Sequence, residues 1–360
     1  MGVISWLKNQ WKKSAVHYTF VPIPPERQDD PVNPVKLESE KHYFRLWLSE
    51  MFLKDDKRVF RTFVPVVHSS VSLGFGDKVA QELPYVAGPV SLGLDSTLGK
   101  GVQLDHPLTN LLPFRGGTIG VTAALVAYKE RDFLKGFLEV LEDVSGLLNV
   151  GQLSSQLKVV DGVVDGIQNL LGAGNKDIHL LYFQGFAGDS GDGGADLEAG
   201  YTAVIKVKAG TLDESQLFVK ERQLHFGPDL ESSQPLEGYD YILLRREVTT
   251  TRDDFLSFER LDELLRNAIR KGVEDPDAGD AIIRTALVVV WDIPDLTNSD
   301  RIRVAKALKR AYEEAIGAGE EPVADALNLH VLAVHEDSLE ESAKWSGRLP
   351  LAEFLSVVER

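Results

Sequence analysis

The chain has 360 residues, of which 43% are hydrophobic and 26% charged, as in an ordinary globular protein long enough to form two domains. Its formal net charge of -16 disfavours binding to nucleic acid or to anionic membranes, because phosphate-rich surfaces attract clustered Lys and Arg. The absence of cysteine excludes disulfides, thiolate metal sites and cysteine nucleophiles, and it fits the cytoplasmic location that we expect.

The N-terminal region is predicted to lie outside the main domains. Residues 1–20 are interpreted as an amphipathic helix, with Trp6, Leu7 and Trp11 beside three lysines. Such a helix can contact a membrane surface, but packing on its own domain or on a partner is the favoured interpretation. The proline-rich residues 21–40 are predicted to be an extended linker.

Residues 41–250 are predicted to be a β-rich domain. The segments HYFRLWLSEMFL and RVFRTFVPVVHSSVSLGF are rich in aromatic and β-branched residues, and Pro65 indicates an edge strand or a bulge in the second. After the turn NLLPFRGG, the segment TIGVTAALVAY alternates, which predicts a strand with one buried face. From Lys129 the apolar residues recur every three or four positions, so we expect a helical insertion of two amphipathic helices at 130–172.

More strands are predicted after the insertion. IHLLYFQGF and YTAVIKVKAG are interpreted as a hairpin with the acidic tip AGDSGDGGADLEAG, and QLFVKERQLHF and YDYILLRREV as two further strands. The predicted fold class is therefore α+β. An antiparallel sheet or sandwich carries the helical insertion and is followed by a mostly helical domain.

Residues 252–360 are predicted to form this acidic, mainly helical domain. They contain 14 Lys and Arg against 23 Asp and Glu, so this part of the chain carries more than half of the net negative charge. A first helix is expected to stop at Gly272, and a later helix to begin with Ser299 as its N-cap.

The segment 280–292 fits either a helix or a strand. The start signal of Pro276 and Asp277 favours the helix. As a strand, the segment would belong to a βαβ unit whose carboxyl ends bind ligands. That alternative gathers five C-terminal residues, which are Asp292, Asp295, His335, Glu336 and Asp337.

The sharpest motif is Gly188-Asp189-Ser190-Gly191, which resembles the nucleophile segment of chymotrypsin-like serine proteases. In that family a serine attacks a carbonyl and a histidine accepts its proton, so the resemblance makes Ser190 a candidate nucleophile. The family has a further glycine where this chain has Asp192, whose charge opposes an oxyanion. A solvated turn is the favoured interpretation.

The same acidic stretch offers carboxylate oxygens of the kind that Ca²⁺ prefers, from Asp189, Asp192, Asp196 and Glu198. Their spacing does not fit the calcium loop of an EF-hand, so a solvated loop is again favoured. The eight histidines show no HxH or HExxH spacing, and no complete phosphate-binding loop occurs. We therefore expect a protein that needs no metal and no cofactor.

Taken in order, the segments LPFRGGTIGV, ALVAYKERDFLKGFLEVL and IPDLTNSD, with a second helix that ends in LLG, resemble uncharacterised bacterial proteins of conflict or defence gene clusters. The resemblance spans about residues 40 to 310. It implies a bacterial, cytoplasmic, non-catalytic component that works with neighbouring effectors, and it supplies no active-site residue.

Three functions compete on the sequence alone. The leading hypothesis is an interaction or adaptor protein that binds another protein, because no complete catalytic set occurs and long amphipathic helices offer a partner surface. The second is a hydrolase that uses Ser190 or the C-terminal carboxylates. The third is a membrane-active effector in which the helices at 133–171 detach and insert.

Overall fold

The structure, a computed structural model, describes residues 18–54, 57–58, 61–74, 81–87, 101–129, 176–187, 195–252, 254–317 and 349–359. The helical insertion at 130–172 lies outside these residues, as does the predicted N-terminal helix up to residue 17, with Trp6, Leu7 and Trp11. The described residues form antiparallel sheets followed by helices, so the predicted α+β class is confirmed.

Fifteen strands lie in the described residues, and they form three sheets that we call the central, the long and the small sheet. In chain order the strands are β1 (Thr19–Ile23), β2 (Tyr43–Phe52), β3 (Lys57–Arg58), β4 (Arg61–Gly74), β5 (Gln81–Ala87), β6 (Gly101–Pro107), β7 (Leu112–Pro113), β8 (Thr118–Lys129), β9 (Lys176–Ala187), β10 (Ala195–Asp196), β11 (Gly200–Ile205), β12 (Leu217–Lys220), β13 (Gln223–Phe226), β14 (Gln234–Pro235) and β15 (Tyr241–Thr249).

The central and long sheets pack face to face as a sandwich. The central sheet has the order β1-β11-β15-β2-β6, with β7 beside β2, and the long sheet has the order β10-β9-β8-β4-β3, with β5 beside β4. Phe44 and Leu46 of β2 meet Val121 and Leu125 of β8 in the apolar core between them. The strand predicted from the alternation in β8 is confirmed, but the prediction of one buried face is wrong, because Thr122 and Val126 on the other face are also buried.

The small sheet, β12-β13-β14, covers part of the other face of the central sheet. Its Leu217 and Leu224 pack with Leu243 of β15. The segment QLFVKERQLHF, predicted as one strand, is a hairpin that turns at Glu221 and Arg222, whose φ angles are 51° and 64°. Turns with positive φ at both positions usually contain glycine or asparagine. Here the two residues are glutamate and arginine, so the sequence carries no turn signal.

The predicted hairpin around the acidic stretch is wrong. Its two arms, β9 and β11, belong to different sheets: β9 pairs with β8 in the long sheet, whereas β11 pairs with β1 and β15 in the central sheet. The acidic stretch therefore connects two sheets. Turn-forming residues specify a chain reversal, but they do not specify which strand the next strand pairs with.

β1 lies in a region that the sequence assigned to the N-terminal helix and the linker. It pairs with β11 at the edge of the central sheet, and Val21 and Ile23 enter the apolar layer beneath the small sheet. Pro22 is tolerated because β1 is an edge strand, where one side of the backbone needs no partner. This part of the proline-rich stretch is therefore a strand of the sheet.

Four α-helices lie in the described part of the C-terminal region, and they pack around one apolar core of their own. They are α1 (Glu259–Glu274), α2 (Pro276–Asp292), α3 (Asn298–Gly317) and α4 (Leu351–Glu359), and short 3₁₀ helices cover Pro25–Arg27, Glu214–Gln216 and Phe255–Ser257. None of the described helices is both long and apolar enough to cross a membrane.

The ambiguous segment 280–292 is helical, as favoured. Asp275 caps α2, because its Oδ1 atom accepts hydrogen bonds from the backbone N–H groups of Asp277 at 3.1 Å and Ala278 at 3.3 Å. Pro276 occupies the first helical position, where a missing N–H costs nothing. The strand alternative and its βαβ unit are wrong.

Gly272 does not end α1, which continues to Glu274, so that predicted stop is also wrong. Gly272 instead lies against Gly279 of α2, where a Cβ atom added to Gly279 would come within 2.4 Å of the Gly272 Cα. The glycine pair therefore allows α1 and α2 to pack at close range.

Candidate functional site

The helices join the sheets at a buried polar cluster, which we call the junction and define as Tyr43, Arg252, Asp300 and Arg303. Tyr43 begins β2, Arg252 follows β15, and the other two residues lie near the start of α3. Each of the four is at most 2% exposed. The junction thus links three parts of the chain that are far apart in sequence.

Asp300 lies at the centre of the junction. Its Oδ2 atom accepts hydrogen bonds from the Tyr43 hydroxyl at 2.8 Å and from the Arg252 backbone N–H at 3.1 Å. Its Oδ1 atom accepts a hydrogen bond from Nε of Arg303, whose guanidinium also lies 5.7 Å from the ring centroid of Phe255. One carboxylate therefore holds β2, the segment after β15 and α3 together.

The side chain of Arg252 connects the junction to two more segments of the chain. Its guanidinium donates to the Leu111 carbonyl at 3.1 Å and to the two carboxylate oxygens of Asp254 at 2.6 and 3.1 Å. It also lies 4.9 Å from the ring centroid of Phe258. A planar guanidinium is suited to this combination of bidentate and aromatic contacts.

The loop before α3 is fixed by its own hydrogen bonds. Thr297 caps the helix, because its Oγ1 atom accepts from the Asp300 N–H at 3.3 Å, and its own N–H donates to the Tyr43 hydroxyl at 3.0 Å. The prediction of Ser299 as the cap is wrong, since α3 begins at Asn298. The Ser299 hydroxyl instead donates to the Lys41 carbonyl at 3.4 Å.

The electrostatics of the junction follow from burial and from charge pairing. Burial raises the pKa of Asp300, and the charge of Arg303 lowers it. Burial and the neighbouring carboxylate raise the pKa of the Tyr43 hydroxyl well above its ordinary value, so this group stays protonated and donates. The side chain of Asp300 is 0% exposed and that of Arg303 1%. A general acid or base must reach its substrate, so this arrangement suits holding rather than catalysis.

A second buried carboxylate, Glu50, lies between the central and small sheets. It is 3% exposed, and its Oε2 atom accepts a hydrogen bond from the Leu224 N–H at 2.8 Å. The Glu50 carboxylate also accepts a hydrogen bond from the Tyr241 hydroxyl. The pairing register of β2 shifts at Ser49, and this bulge turns Glu50 toward the small sheet. Burial raises the pKa of Glu50 to about 7.

Of the candidate residues in the acidic stretch, Asp196 and Glu198 lie in the part of the chain that the structure describes. Ser190, Asp189 and Asp192 lie outside the described residues. Asp196 lies in β10, and Glu198 follows as a half-buried residue whose carbonyl accepts a hydrogen bond from a neighbouring arginine at 2.8 Å. Among the described residues, no group of three or more His, Asp or Glu side chains is placed to hold a metal ion.

The C-terminal acids lose the placement that the βαβ unit would have given them. Asp292 is exposed at the end of α2, whereas Asp295 is 0% exposed in the loop that follows. His335, Glu336 and Asp337 lie outside the described residues. A ligand site at parallel strand ends is therefore not formed by Asp292 and Asp295.

Comparisons with protein-family models, curated proteins and solved structures found no match to this chain. We therefore interpret the junction from its own geometry. Sequence reasoning missed it, although one signal was present in the segment IPDLTNSDRIR. Arg301 and Arg303 lie near the start of a helix, the end at which the helix dipole disfavours cations. Such a conflict indicates that other contacts hold the arginines in place. Arg303 donates to the Asp300 carboxylate and to the Arg252 carbonyl, and Arg301 donates to the Ile293 carbonyl.

Proposed function

We propose that the protein is a non-catalytic interaction component of a bacterial multi-protein system, and that it presents the sheets and the helices to its partner as one rigid unit. The junction carries this proposal. Two guanidinium groups and two carboxylates pair with one another there, and three of these four side chains are at most 1% exposed. These buried ion pairs thus lie where the helices join the sheets.

Rigid joining matters for binding because association requires that flexible parts become ordered. A partner that contacts both domains binds more tightly when their relative position is already fixed. A buried ion pair adds little net stability, because removing two charges from water costs free energy that their attraction only partly returns. Its geometry can nevertheless favour one arrangement of the chain over others. The resemblance to proteins of bacterial defence clusters suggests the kind of system in which such a component works.

Affinity capture tests this proposal. The tagged full-length protein is purified from cells that encode it, and quantitative mass spectrometry compares it with an untagged control. We expect one other protein at near-stoichiometric abundance, and we expect Ser190→Ala to capture it equally well. The full chain is needed because a truncation at Thr251 would remove Asp300 and leave Tyr43 uncovered.

The result that contradicts the proposal is the absence of any protein enriched above the untagged control. A partner that Ser190→Ala no longer captures would contradict the expectation that Ser190 takes no part in the interaction.

A further inference from the structure

The small sheet leaves part of the central sheet's outer face uncovered. Leu243 of β15 packs beneath the small sheet, and residues two apart on a strand share a face, so Arg245 and Glu247 continue the same face beyond it. On the neighbouring strand β2, Trp47 lies opposite Arg245 and Arg45 lies opposite Glu247. Charged and aromatic side chains thus replace the apolar ones along the same two strands.

Two guanidinium groups lie on one indole at this place. The Cζ atom of Arg245 is 4.5 Å from the ring centroid of Trp47, and the Cζ atom of Arg45 is 5.4 Å from it. Nε1 of Trp47 donates a hydrogen bond to Glu247 at 2.6 Å, which fixes the indole. Cation–π contacts therefore hold both arginines in position before any partner binds.

Arg45 has unused hydrogen-bonding capacity, whereas Arg245 already donates to Asp105 through Nη2. Nη1 of Arg45 is 3.7 Å from the Glu247 carboxylate, which is an ion pair beyond hydrogen-bonding distance. Nε of Arg45 and Nε of Arg245 have no hydrogen-bond partner in the part of the chain that the structure describes. The Arg45 side chain is 25% exposed, so its outer N–H groups are accessible to a hydrogen-bond acceptor.

A strained turn adds a third guanidinium. Arg222 has a φ angle of 64°, and its guanidinium pairs with Asp105, which also accepts from Nη2 of Arg245 at 3.3 Å. Left-handed backbone at a residue other than glycine carries a free-energy penalty, and such strain concentrates at functional positions. The Arg222 side chain is 51% exposed. We call Arg45, Trp47, Arg222 and Arg245 the guanidinium–indole surface.

We propose that the guanidinium–indole surface binds a carboxylate-rich segment of a partner protein, an inference that rests on the proposed interaction function. Arginine accepts carboxylates in a bidentate geometry, and Trp and Arg contribute most to the binding energy of protein interfaces. The chain's net charge of -16 repels an acidic partner at long range. Physiological salt screens that repulsion beyond about 8 Å, whereas the guanidinium–carboxylate contacts form well inside this distance.

Fluorescence anisotropy with a labelled hexaglutamate peptide tests the surface on the full-length protein, and hexaglutamine serves as the uncharged probe. We expect the wild type to bind hexaglutamate and not hexaglutamine. Arg45→Gln should weaken hexaglutamate binding about tenfold, and Arg45→Lys should weaken it less, because the lysine keeps the charge but loses the planar fork. The matched control is Arg270→Gln on the exposed face of α1, which should bind as the wild type does.

Equal affinity of Arg45→Gln and wild type would overturn the inference, as would wild-type protein that fails to bind hexaglutamate or that binds an oligothymidylate more tightly. Circular dichroism checks that each variant is folded. Affinity capture separates this inference from the proposed function. A partner captured by wild type and by Arg45→Gln alike leaves the function standing and overturns the surface, whereas the absence of any captured partner contradicts the function itself.

Discussion

The junction and the boundary beneath the small sheet each bury one carboxylate, but they treat its charge differently. At the junction, Asp300 accepts hydrogen bonds from the charged guanidinium of Arg303 and from the Tyr43 hydroxyl. At the other boundary, the donors that reach Glu50 from the described residues are neutral, a backbone N–H and the Tyr241 hydroxyl. Among the described residues, Asp300 thus contacts a cation, whereas Glu50 contacts neutral dipolar groups.

This difference decides what each boundary can do. A cation in contact offsets part of the cost of burying a negative charge, although burial still raises the pKa of Asp300 above its ordinary value. The Asp300 carboxylate holds the start of β2 and the segment after β15 against α3. Without such a cation, burial raises the pKa of Glu50 to about 7, so this residue exchanges its proton near neutral pH. A charged contact thus joins the helices to the sheets, whereas the contact between the small sheet and the central sheet includes a carboxyl group that titrates.

Asp300→Asn removes the charge of the carboxylate at the junction, and we expect this variant to have the largest effect on the unfolding free energy. Asparagine has no charge, so the Arg303 guanidinium, whose side chain is 1% exposed, would stay buried without its counter-ion. Removing one partner of a buried ion pair costs roughly 3–5 kcal/mol of unfolding free energy. Urea unfolding followed by tryptophan fluorescence measures this loss.

The matched control is Asp262→Asn on α1. Asp262 pairs with Arg266 through two contacts at 2.8 Å, but the Arg266 side chain is 57% exposed. A solvent-exposed helical pair of this spacing contributes about 0.5 kcal/mol or less. If both aspartate variants lost the same small free energy, the junction would not be the buried charged contact that the structure shows.

The pH dependence of stability tests the boundary at Glu50, and here we expect an intermediate effect on the unfolding free energy. The folded pKa of about 7 lies above the ordinary value of 4.5, so the folded state binds more protons between these values. The contribution of Glu50 to the unfolding free energy should therefore be highest below pH 4.5, fall as the pH rises toward 7, and then level off. A shift of this size corresponds to roughly 3 kcal/mol.

The variant Glu50→Gln removes this titration while keeping the size of the side chain. We expect its unfolding free energy to lack the fall that the wild type shows between pH 4.5 and 7. Glu313→Gln, at a position whose side chain is 58% exposed on α3, should follow the wild type. Parallel pH profiles of Glu50→Gln and wild type would show that Glu50 is ionised throughout.

Local patterns in the sequence were sufficient for much of the fold. The strand at β8 and the helix start at Pro276 were predicted from residues that are close together in the chain, and both predictions are confirmed. The pairing of β9 and the turn at Glu221 and Arg222 were missed. Strand partners are chosen by the whole sheet, and a positive φ at residues other than glycine is imposed by tertiary contacts.

The junction could not be predicted because its members meet only in the folded chain. Tyr43 and Asp300 are 257 positions apart, and Tyr43 looks like any aromatic residue at the start of a strand. Glu50 was equally hidden, since the bulge at Ser49 decides which face it occupies and the sequence pattern gives no sign of that bulge. Ser190 and the rest of its motif at residues 188–191 lie outside the described residues.

Tyr43→Phe gives the smallest expected effect and tests whether the junction acts as one unit. The change removes only a hydroxyl, which donates to Asp300 at 2.8 Å and accepts from the Thr297 N–H at 3.0 Å. Leaving a buried N–H without its acceptor costs about 1–3 kcal/mol, so we expect a loss near the lower end in the urea assay. Because Tyr43 and Asp300 share a hydrogen bond, the double variant with Asp300→Asn should lose less than the sum of the single losses. Strictly additive losses would mean that the two residues stabilise the boundary separately, and the junction would then be a set of neighbouring contacts rather than one network.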